Sequence, residues 1–561
     1  MKKQSYRGLA AIVVATAMLT GCKLIGDVEY TVQQDPVEMH GDSVRVSVSV
    51  KFPEKGLHKK ASAEITPKLG GKAFKTITVQ GEKATGNGQT IAYKPGATVS
   101  YSDVIPYSPD LENADLTITG KVSKGKKEQD FEPVKIADGT IITSLLVQND
   151  DKALIGVDNF VRTTEENYNA QYNFNKGKSN VTSKEAKDQD IKDLQEWLTA
   201  AQSNPKIAPK KMNLIAYASP EGETADNDQL ARDRATSGQE AVIKIVTASG
   251  FETTPGFYNI DPKGEDWAGF EAAVRASEME DKNLIIRVLE MTPDKNKREQ
   301  EIINMAKTYK DLEKEILPSL RRTQLNVVYD KIGWSDEELK NLSKTKADTL
   351  TVEELLFAGT LYEDLSEKMR VYKLAAANYP KDWRGHNNVG SVYYMQNDLT
   401  NAEANFQKAN DLNENPVTLN NLGIIARING DRDKATELLT SAIGAGSEVK
   451  YNLGIIDIQN GNYAEAIGNF GGENTFNKAL AQVLNGDNSA ALSTLDASID
   501  AESAIGYYLK AIIGSRQDNL DLVVNNLKSA IAKDAGFKGK AAKDREFIKF
   551  FENASFKNVV N

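Results

Sequence analysis

Residues 387–406 read NNVGSVYYMQNDLTNAEANF, residues 420–439 read NNLGIIARINGDRDKATELL, and residues 451–470 read YNLGIIDIQNGNYAEAIGNF. The three segments align without gaps, and a fourth, shorter unit follows in the same register. The alignment superimposes four anchor residues: Asn397, Gly430, Gly461 and Gly486. Successive anchors are 33, 31 and 25 residues apart. Self-similarity at such a period predicts an array of stacked units, each of which buries its apolar face against its neighbours.

Small and large residues recur at fixed distances from these anchors. In the first three units a glycine lies seven residues before the anchor, and in all four an alanine lies five residues after it and a large apolar residue nine residues after it. The members are Gly390, Ala402 and Phe406, then Gly423, Ala435 and Leu439, then Gly454, Ala466 and Phe470, and finally Ala491 and Leu495. Small residues allow two helices of a hairpin to approach closely, and the large residue fills the groove between them.

This repeat resembles the tetratricopeptide repeat (TPR), a helix–turn–helix unit of about 34 residues. We therefore expect an all-α TPR solenoid over residues 346–552, with degenerate flanking hairpins at 355–379 and 504–532 and a closing helix at 543–551. The concave surface of such a solenoid binds proteins or peptides. Several asparagines precede the first-helix glycines, and they either hydrogen-bond a ligand backbone or form a solvated face: Asn387, Asn388, Asn420, Asn421 and Asn452.

The first residues of the chain carry a basic and then an apolar segment. The apolar stretch from Leu9 to Leu19 is too short to span a bilayer, and Thr20 and Gly21 lead into Cys22, the single cysteine of the sequence. The segment resembles the lipobox of bacterial lipoproteins. The resemblance implies a signal peptide over residues 1–21, lipid attachment at Cys22, and a protein anchored in the outer membrane and facing the periplasm. The alternative is a plain secretory signal with an incidental cysteine.

Composition argues against several functional classes. The formal net charge is −10, which disfavours nucleic acid as a partner because few phosphates could be neutralised. The three histidines are far apart in sequence, and a single cysteine allows no internal disulfide. Zinc sites, thiol nucleophiles and serine–histidine triads are therefore poorly supported. We expect no catalytic residue, no metal and no cofactor, and hence a protein that is not an enzyme.

The region over residues 22–155 has the pattern of an all-β sandwich. Apolar and polar residues alternate from Val44 to Phe52, which places one face of a strand in a core. Further strands are predicted at Phe74–Val79, Leu116–Val122 and Val134–Ile142, with glycine-rich turns between them. Short strands at such spacing favour a sandwich that is similar to immunoglobulin domains.

Residues 160–332 alternate strands and helices, which predicts an α+β domain. The predicted elements are strands at Tyr168–Phe174, Met212–Ala218 and Arg321–Tyr329, and helices at Ser183–Ala201, capped by Ser183, and Ala225–Ala248. Residues 227–235 read NDQLARDRA, which resembles the helix motif of the OmpA-like, peptidoglycan-associated domain family. The preceding strand with its glycine turn and the double arginine at 321–322 also match. Residues of about 250–320 are then an insertion that is largely helical.

The OmpA-like resemblance implies a non-catalytic site for the diaminopimelate side chain of peptidoglycan. By motif position Arg234 binds the carboxylate, for which a forked guanidinium is suited. The family has an acid in the turn before the helix to bind the ammonium, but this chain has Ser219 there. Glu221 and Asp226 are near enough in sequence to replace it. The candidate peptidoglycan site is Ser219, Glu221, Asp226, Asn227 and Arg234.

These features predict a lipid-anchored cell-envelope scaffold. It would link the outer membrane to peptidoglycan through the OmpA-like domain and recruit protein partners through the TPR repeats. One alternative is a component of a secretion or adhesin-assembly complex without peptidoglycan binding. Another is a cell-wall hydrolase with paired carboxylates, for which no recognisable site stands in the sequence.

Overall fold

The computed structural model describes residues 13–17, 24–251 and 253–561, with the backbone alone for residues 13–17, 306 and 307. The chain forms two compact units, one from residues 1–157 together with 364–561 and the other from residues 158–363. Cys22 lies outside the described residues. None of the helices in the described ranges combines the length and apolar character needed to cross a membrane.

The N-terminal part of the first unit is built from strands. They are β1 (Val13–Ala17), β2 (Val28–Val32), β3 (Met39–His40), β4 (Ser43–Phe52), β5 (Ser62–Leu69), β6 (Lys72–Ala73), β7 (Ile77–Gly81), β8 (Gln89–Ile91), β9 (Ala97–Pro106), β10 (Asp115–Lys124), β11 (Lys127–Asp130) and β12 (Val134–Asp138). One sheet has the order β1-β2-β4-β3 with β9 also paired to β4, and the other has the order β11-β10-β5-β7-β8 with β12 on β10 and β6 on β5. The predicted strand-rich N-terminal region is confirmed.

Both sheets contribute to one hydrophobic core. Val44, Val48 and Phe52 of β4 are buried, as the alternation predicts. They share a core cluster with Ile65 of β5 and Ile118 of β10 from the other sheet. The predicted strand at Phe74–Val79 differs from the structure, where a break after Ala73 separates the short β6 from β7.

The second unit alternates strands and helices. Its elements are β13 (Thr163–Asn173), α1 (Gln189–Ser203), β14 (Ile207–Ala218), α2 (Thr224–Ala248), β15 (Tyr258–Glu265), α3 (Trp267–Ala276), α4 (Lys282–Met291), α5 (Lys295–Ile303), α6 (Ala306–Glu315), α7 (Leu317–Leu320), β16 (Arg322–Ile332), α8 (Asp336–Thr345) and α9 (Val352–Thr360). The sheet order is β13-β16-β14-β15, and only the β14–β15 pair among these is parallel. Helices α1 and α2 pack their apolar residues on the sheet, and α3 to α7 form a separate core cluster.

Two local expectations for this unit differ from the structure. Helix α1 begins at Gln189 rather than after Ser183, because the Asp188 side chain accepts the first backbone N–H while residues 185–187 form a 3-10 turn. Strand β15 lies inside the predicted helical insertion. Its sequence, YNIDPKGE, shows no apolar alternation, and only its last two residues, Gly264 and Glu265, are buried. The predicted start of the repeats at residue 346 falls inside this second unit.

The C-terminal part of the first unit is helical. Its helices are α10 (Leu365–Asn378), α11 (Trp383–Met395), α12 (Leu399–Leu412), α13 (Pro416–Ile428), α14 (Arg432–Ser441), α15 (Ser447–Asn460), α16 (Tyr463–Phe470), α17 (Phe476–Leu484), α18 (Asn488–Asp496), α19 (Ala504–Arg516), α20 (Leu520–Lys533), α21 (Gly536–Ala541) and α22 (Ala554–Val560). Helices α11 to α20 pack as five successive hairpins. The predicted TPR-like helical region is confirmed. At the predicted closing helix, residues 545–550 instead form a 3-10 helix, and α22 follows.

The sequence anchors are the residues at which the first helix of each hairpin ends. All four have a left-handed backbone: Asn397 (φ 59°), Gly430 (89°), Gly461 (80°) and Gly486 (88°). In each case the next N–H donates back to a carbonyl five residues earlier, as in a Schellman turn. Asp518 (φ 56°) occupies the same place in the α19–α20 hairpin, which extends the register to a fifth unit.

The β-rich and helical parts of the first unit share a polar interface. The Arg516 guanidinium lies between Glu38 of the β-rich part (2.6 Å) and Glu546 (2.5 Å). Glu546 also accepts a hydrogen bond from Thr143 (2.5 Å), which follows the last strand of the β-rich part. Both ends of this network are largely buried, so the first unit is one body rather than two loosely joined domains.

The first-helix glycines lie against the large residues of the repeat. A Cβ at Gly390 would lie 2.7 Å from Phe406, one at Gly423 would lie 2.8 Å from Leu439, and one at Gly454 would lie 2.7 Å from Phe470. The alanines at 402, 435 and 466 are fully buried in the same hairpins. Any side chain at the three glycines would therefore push the two helices of a hairpin apart.

We expect Gly454→Ala to lower the free energy of unfolding of the helical region by about 1–3 kcal/mol, because the added methyl overlaps Phe470. The matched control is Gly468→Ala in α16, where nothing lies within 4 Å of the new Cβ. That change should stabilise the helix by about 0.5–1 kcal/mol. Chemical denaturation followed by circular dichroism measures both, and a Gly454→Ala protein as stable as Gly468→Ala would contradict the packing described.

Candidate functional site

Residues 147–157, which we call the strap, run along the first helices of the hairpins. Four asparagines each bind both backbone polar groups of one strap residue: Oδ1 accepts from its N–H, and Nδ2 donates to its carbonyl. The pairs are Asn477 with Gln148 (2.8 and 3.0 Å), Asn452 with Lys152 (2.7 and 3.1 Å), Asn421 with Leu154 (2.8 and 2.7 Å), and Asn388 with Gly156 (2.6 and 2.9 Å). We call these four asparagines the asparagine ladder.

A second row of asparagines supports the ladder. Asn387 donates to the Leu154 carbonyl (3.0 Å), and Asn420 donates to the Lys152 carbonyl (3.0 Å). Their own Oδ1 atoms accept from Asn421 and Asn452 of the ladder, each at 2.9 Å. All of these side chains are at most 1% exposed. Buried amides are costly unless they are fully bonded, and this network satisfies them with the strap in place.

The ladder contacts the backbone of the strap, and its geometry follows the repeat. Gly156, Leu154 and Lys152 are bound by three successive hairpins, so the strap advances two residues for each of these repeats, and the step to Gln148 on the fourth hairpin is four residues. Two residues of extended chain span about 6.6 Å. Because the bonds go to peptide groups, the ladder selects an extended conformation rather than a particular side chain.

One buried ion pair adds a side-chain contact to these backbone bonds. The Asp151 carboxylate receives two bonds from Arg427 of α13, from Nε at 2.7 Å and from Nη2 at 2.5 Å, and the side chains are 0% and 3% exposed. Burial raises the pKa of Asp151, and the Arg427 guanidinium opposes that rise. A forked guanidinium that meets a planar carboxylate in this way distinguishes an acid from a neutral residue.

Two further strap residues, Asp150 and Gly156, make specific contacts with the array. The Asp150 carboxylate accepts from the Tyr451 hydroxyl (2.7 Å) and from Asn477 Nδ2 (3.0 Å). Burial and this carboxylate raise the pKa of Tyr451, so the phenol remains a donor. At the other end, a Cβ on Gly156 would lie 2.7 Å from the Arg384 side chain, so the ladder position of Asn388 admits only glycine.

The structure resolves the alternative that the sequence left open for the asparagines. Asn387, Asn388, Asn420, Asn421 and Asn452 bind an extended backbone, and that backbone belongs to the chain itself. Asn477 was missed, although it lies nine residues before Gly486, as Asn388 lies nine residues before Asn397. Asn477 could therefore have been predicted from the repeat register alone.

The residues predicted to bind peptidoglycan lie in the turn after β14 and in α2, and all of them except Asp226 bind each other or other groups of the second unit. Arg234 is fully buried, and its guanidinium donates to the carbonyls of Lys178 (3.0 Å), Tyr217 (3.0 Å) and Asn175 (3.4 Å). Burial, together with the charge of Arg321, lowers the pKa of Arg234 to about 10. In this arrangement Arg234 ties three segments of the second unit together.

Glu221 is the acid that lies at this place. Its Oε1 accepts from Ser219 Oγ (2.6 Å) and from Arg321 Nε (2.8 Å), and its Oε2 lies 3.2 Å from the Lys176 ammonium. Glu221 is 8% exposed at its side chain, whereas Lys176 is 57% exposed. Glu221 is thus paired with an ammonium and a guanidinium of the chain itself.

The other two predicted site residues differ in exposure. Asn227 is buried and donates to the Glu221 carbonyl (3.0 Å) and to Glu265 Oε1 (3.0 Å). Asp226, one residue earlier in α2, is exposed to solvent. Across the described ranges, no group of three or more His, Cys, Asp or Glu side chains is placed to hold a metal ion.

Comparisons with known proteins find similarity to solved structures but not to family models or curated sequences. No protein-family model matches the chain, and no curated protein sequence matches it. The chain is similar to a chain of the Cut9–Hcn1 APC/C hetero-tetramer (14% identity, 40% of this chain and 45% of that chain, TM-score 0.33). The match thus spans less than half the length of that chain. It is similar to a tetratricopeptide repeat protein from Parabacteroides merdae (16% identity, 40% of this chain and 89% of that chain, TM-score 0.28). It is also similar to PilF from Pseudomonas aeruginosa (16% identity, 38% of this chain and 97% of that chain, TM-score 0.30).

We expect Arg427→Met to lower the free energy of unfolding of the first unit by about 3–5 kcal/mol, because it leaves a buried carboxylate without its partner. Adding Asp151→Asn should recover a large part of that loss. The matched control is Arg432→Met, which removes an exposed ion pair with Asp42 and should cost at most about 1 kcal/mol. Denaturation of the unmodified chain, Arg427→Met, Asp151→Asn and the double variant gives the coupling energy, and a coupling near zero would contradict the role assigned to the pair.

Proposed function

We propose that this chain is a scaffold of the bacterial cell envelope that holds protein partners through its helical region. One observation carries the proposal: the asparagine ladder binds an extended backbone by paired hydrogen bonds at four positions. Such a groove is a general device for peptide recognition, since main-chain bonds supply affinity and individual side-chain pockets supply specificity.

The anchor in this proposal is the lipobox-like segment that ends at Cys22. Cleavage before Cys22 removes β1 and leaves β2 at the edge of its sheet. Ile25 already belongs to the hydrophobic core, so only two residues separate the lipidated cysteine from the folded β-rich part. Two or three acyl chains give a stable anchor, and the β-rich part would then lie close to the membrane surface.

The contact with peptidoglycan is proposed for the second unit, through the cluster around Glu221. Lys176 pairs with Glu221, the acid that would bind the ammonium of diaminopimelate in this proposal, and the Lys176 side chain is 57% exposed, so a wall ammonium could displace it. The anchor and the wall contact act on one molecule, so a weak contact is strengthened by the high effective concentration of the tethered unit.

The experiment is co-sedimentation with purified peptidoglycan sacculi. If a wall ammonium replaces Lys176, then Lys176→Met should raise the pelleted fraction because it removes the internal competitor, and Glu221→Gln should lower it to background. Lys178→Met makes the same change in charge two residues away and should behave as the unmodified chain. Circular dichroism checks that each variant is folded.

The outcomes separate the alternatives. Unchanged pelleting of Glu221→Gln would contradict a wall contact at this cluster. Crosslinked protein partners that persist without any pelleting would favour a secretion or adhesin-assembly component. Release of soluble muropeptides from the sacculi would favour a hydrolase and would contradict the scaffold.

A further inference from the structure

We propose that the groove over the asparagine ladder is the binding site for an extended acidic peptide of a partner protein, and that the strap is a resident ligand which the partner displaces. The proposal rests on the proposed function, since it names how the scaffold recruits a partner. It assigns the strap a second role besides connecting the β-rich part to the second unit: it closes the groove until a competing peptide arrives.

The strap is bound as a ligand would be bound. Its ladder contacts go from side chains of the array to its backbone, and among the described strands it pairs with none of the three sheets. Asn149, Asp150, Lys152 and Val157 are exposed and residues 153–155 are partly buried, so solvent reaches the strap in its first half and at its last residue. A competing chain can therefore approach without unfolding the hairpins.

The groove specifies the chemistry of its occupant. Arg427 requires a carboxylate at the position of Asp151, and Tyr451 with Asn477 favours a second acid at the position of Asp150. Arg384 requires glycine five residues after the buried acid.

The ladder requires free N–H groups at the positions of residues 152, 154 and 156, so proline cannot occupy them. The partner thus presents an extended Asp-Asp segment that is followed by a glycine.

The covalent connection sets the strength of the competition. A short tethered segment has an effective concentration in the millimolar range, so a free peptide of equal intrinsic affinity reaches the groove only at comparable concentration. The apparent affinity for a partner falls by the fraction of molecules in which the groove is open. Weakening the strap should therefore increase the apparent affinity for an added peptide without any new contact.

The test uses the full chain and a fluorescein-labelled peptide with the sequence of residues 147–157, VQNDDKALIGV. The strap variant carries Asp151→Arg and Leu154→Pro, which oppose Arg427 and remove the N–H that Asn421 accepts. Fluorescence polarisation should show at least tenfold tighter binding of the peptide to the strap variant than to the unmodified chain. A peptide with both aspartates replaced by asparagine should bind at least tenfold more weakly.

A groove variant provides the matched control. Asn452→Ala, added to the strap variant, removes two bonds to the probe backbone and should reduce binding about tenfold. Equal binding of the probe to the unmodified chain and to the strap variant would overturn the proposal. So would absence of binding to a strap variant whose helical circular dichroism spectrum matches that of the unmodified chain, or equal binding of the two peptides.

Hydrogen exchange on the unmodified chain keeps the proposal testable if the strap variant does not fold. Millimolar N-acetylated peptide should accelerate deuterium uptake of residues 148–156 relative to the buffer control, and unchanged uptake would overturn the displacement. This result is independent of the wall contact, because the ladder and the Glu221 cluster lie in different units. Protein crosslinks in the absence of peptide binding would contradict peptide binding in the groove but would leave the proposed scaffold function standing.

Discussion

The capture of the strap backbone by the asparagine ladder is the constraint on which the arrangement of the first unit depends. Eight hydrogen bonds join four asparagines to four strap residues. The side chains that make them are buried, so without the strap they would be unsatisfied amides in a low-dielectric groove. The array therefore favours an occupied groove, and the chain provides the occupant itself.

The buried pair of Arg427 and Asp151 fixes the position of the strap within that groove. Backbone bonds to Asn388, Asn421 and Asn452 alone would allow an extended chain to shift along the array by two residues, because these three amides bind residues that are two apart. A shift would move Asp151 away from Arg427 and leave two buried charges unpaired, which is a severe penalty. The polar contacts of Glu38, Thr143 and Glu546 fix the other end of the connection, so the β-rich part and the array form one body.

The repeat was the part of the fold most open to prediction. Its anchors proved to be the left-handed residues that end the first helices, and its glycines proved to lie against Phe406, Leu439 and Phe470, because both constraints recur in every unit. Strand β15 was missed since its polar sequence buries only two residues. The strap could not be predicted: its sequence has no periodicity, and its partners lie about 230 to 330 residues away.

The second unit shows how far a motif determines a site. The sequence motif assigned Arg234 and Ser219 to one candidate site, but it could not show that backbone carbonyls surround Arg234 or that Lys176 pairs with Glu221. Both facts depend on the path of residues 175–178, which contain no part of the motif. The wall contact therefore remains a prediction that concerns displacement of Lys176 rather than an open pocket.

Site-resolved amide hydrogen exchange of the unmodified chain tests the central claim most directly. The ladder accepts the N–H groups of Lys152, Leu154 and Gly156, whereas those of Ala153 and Ile155 have no acceptor among the described residues. The account predicts alternating protection, slow at residues 152, 154 and 156 and fast at 153 and 155. Uniformly fast exchange across residues 152–156 would show that the ladder does not hold the strap, and would contradict the account.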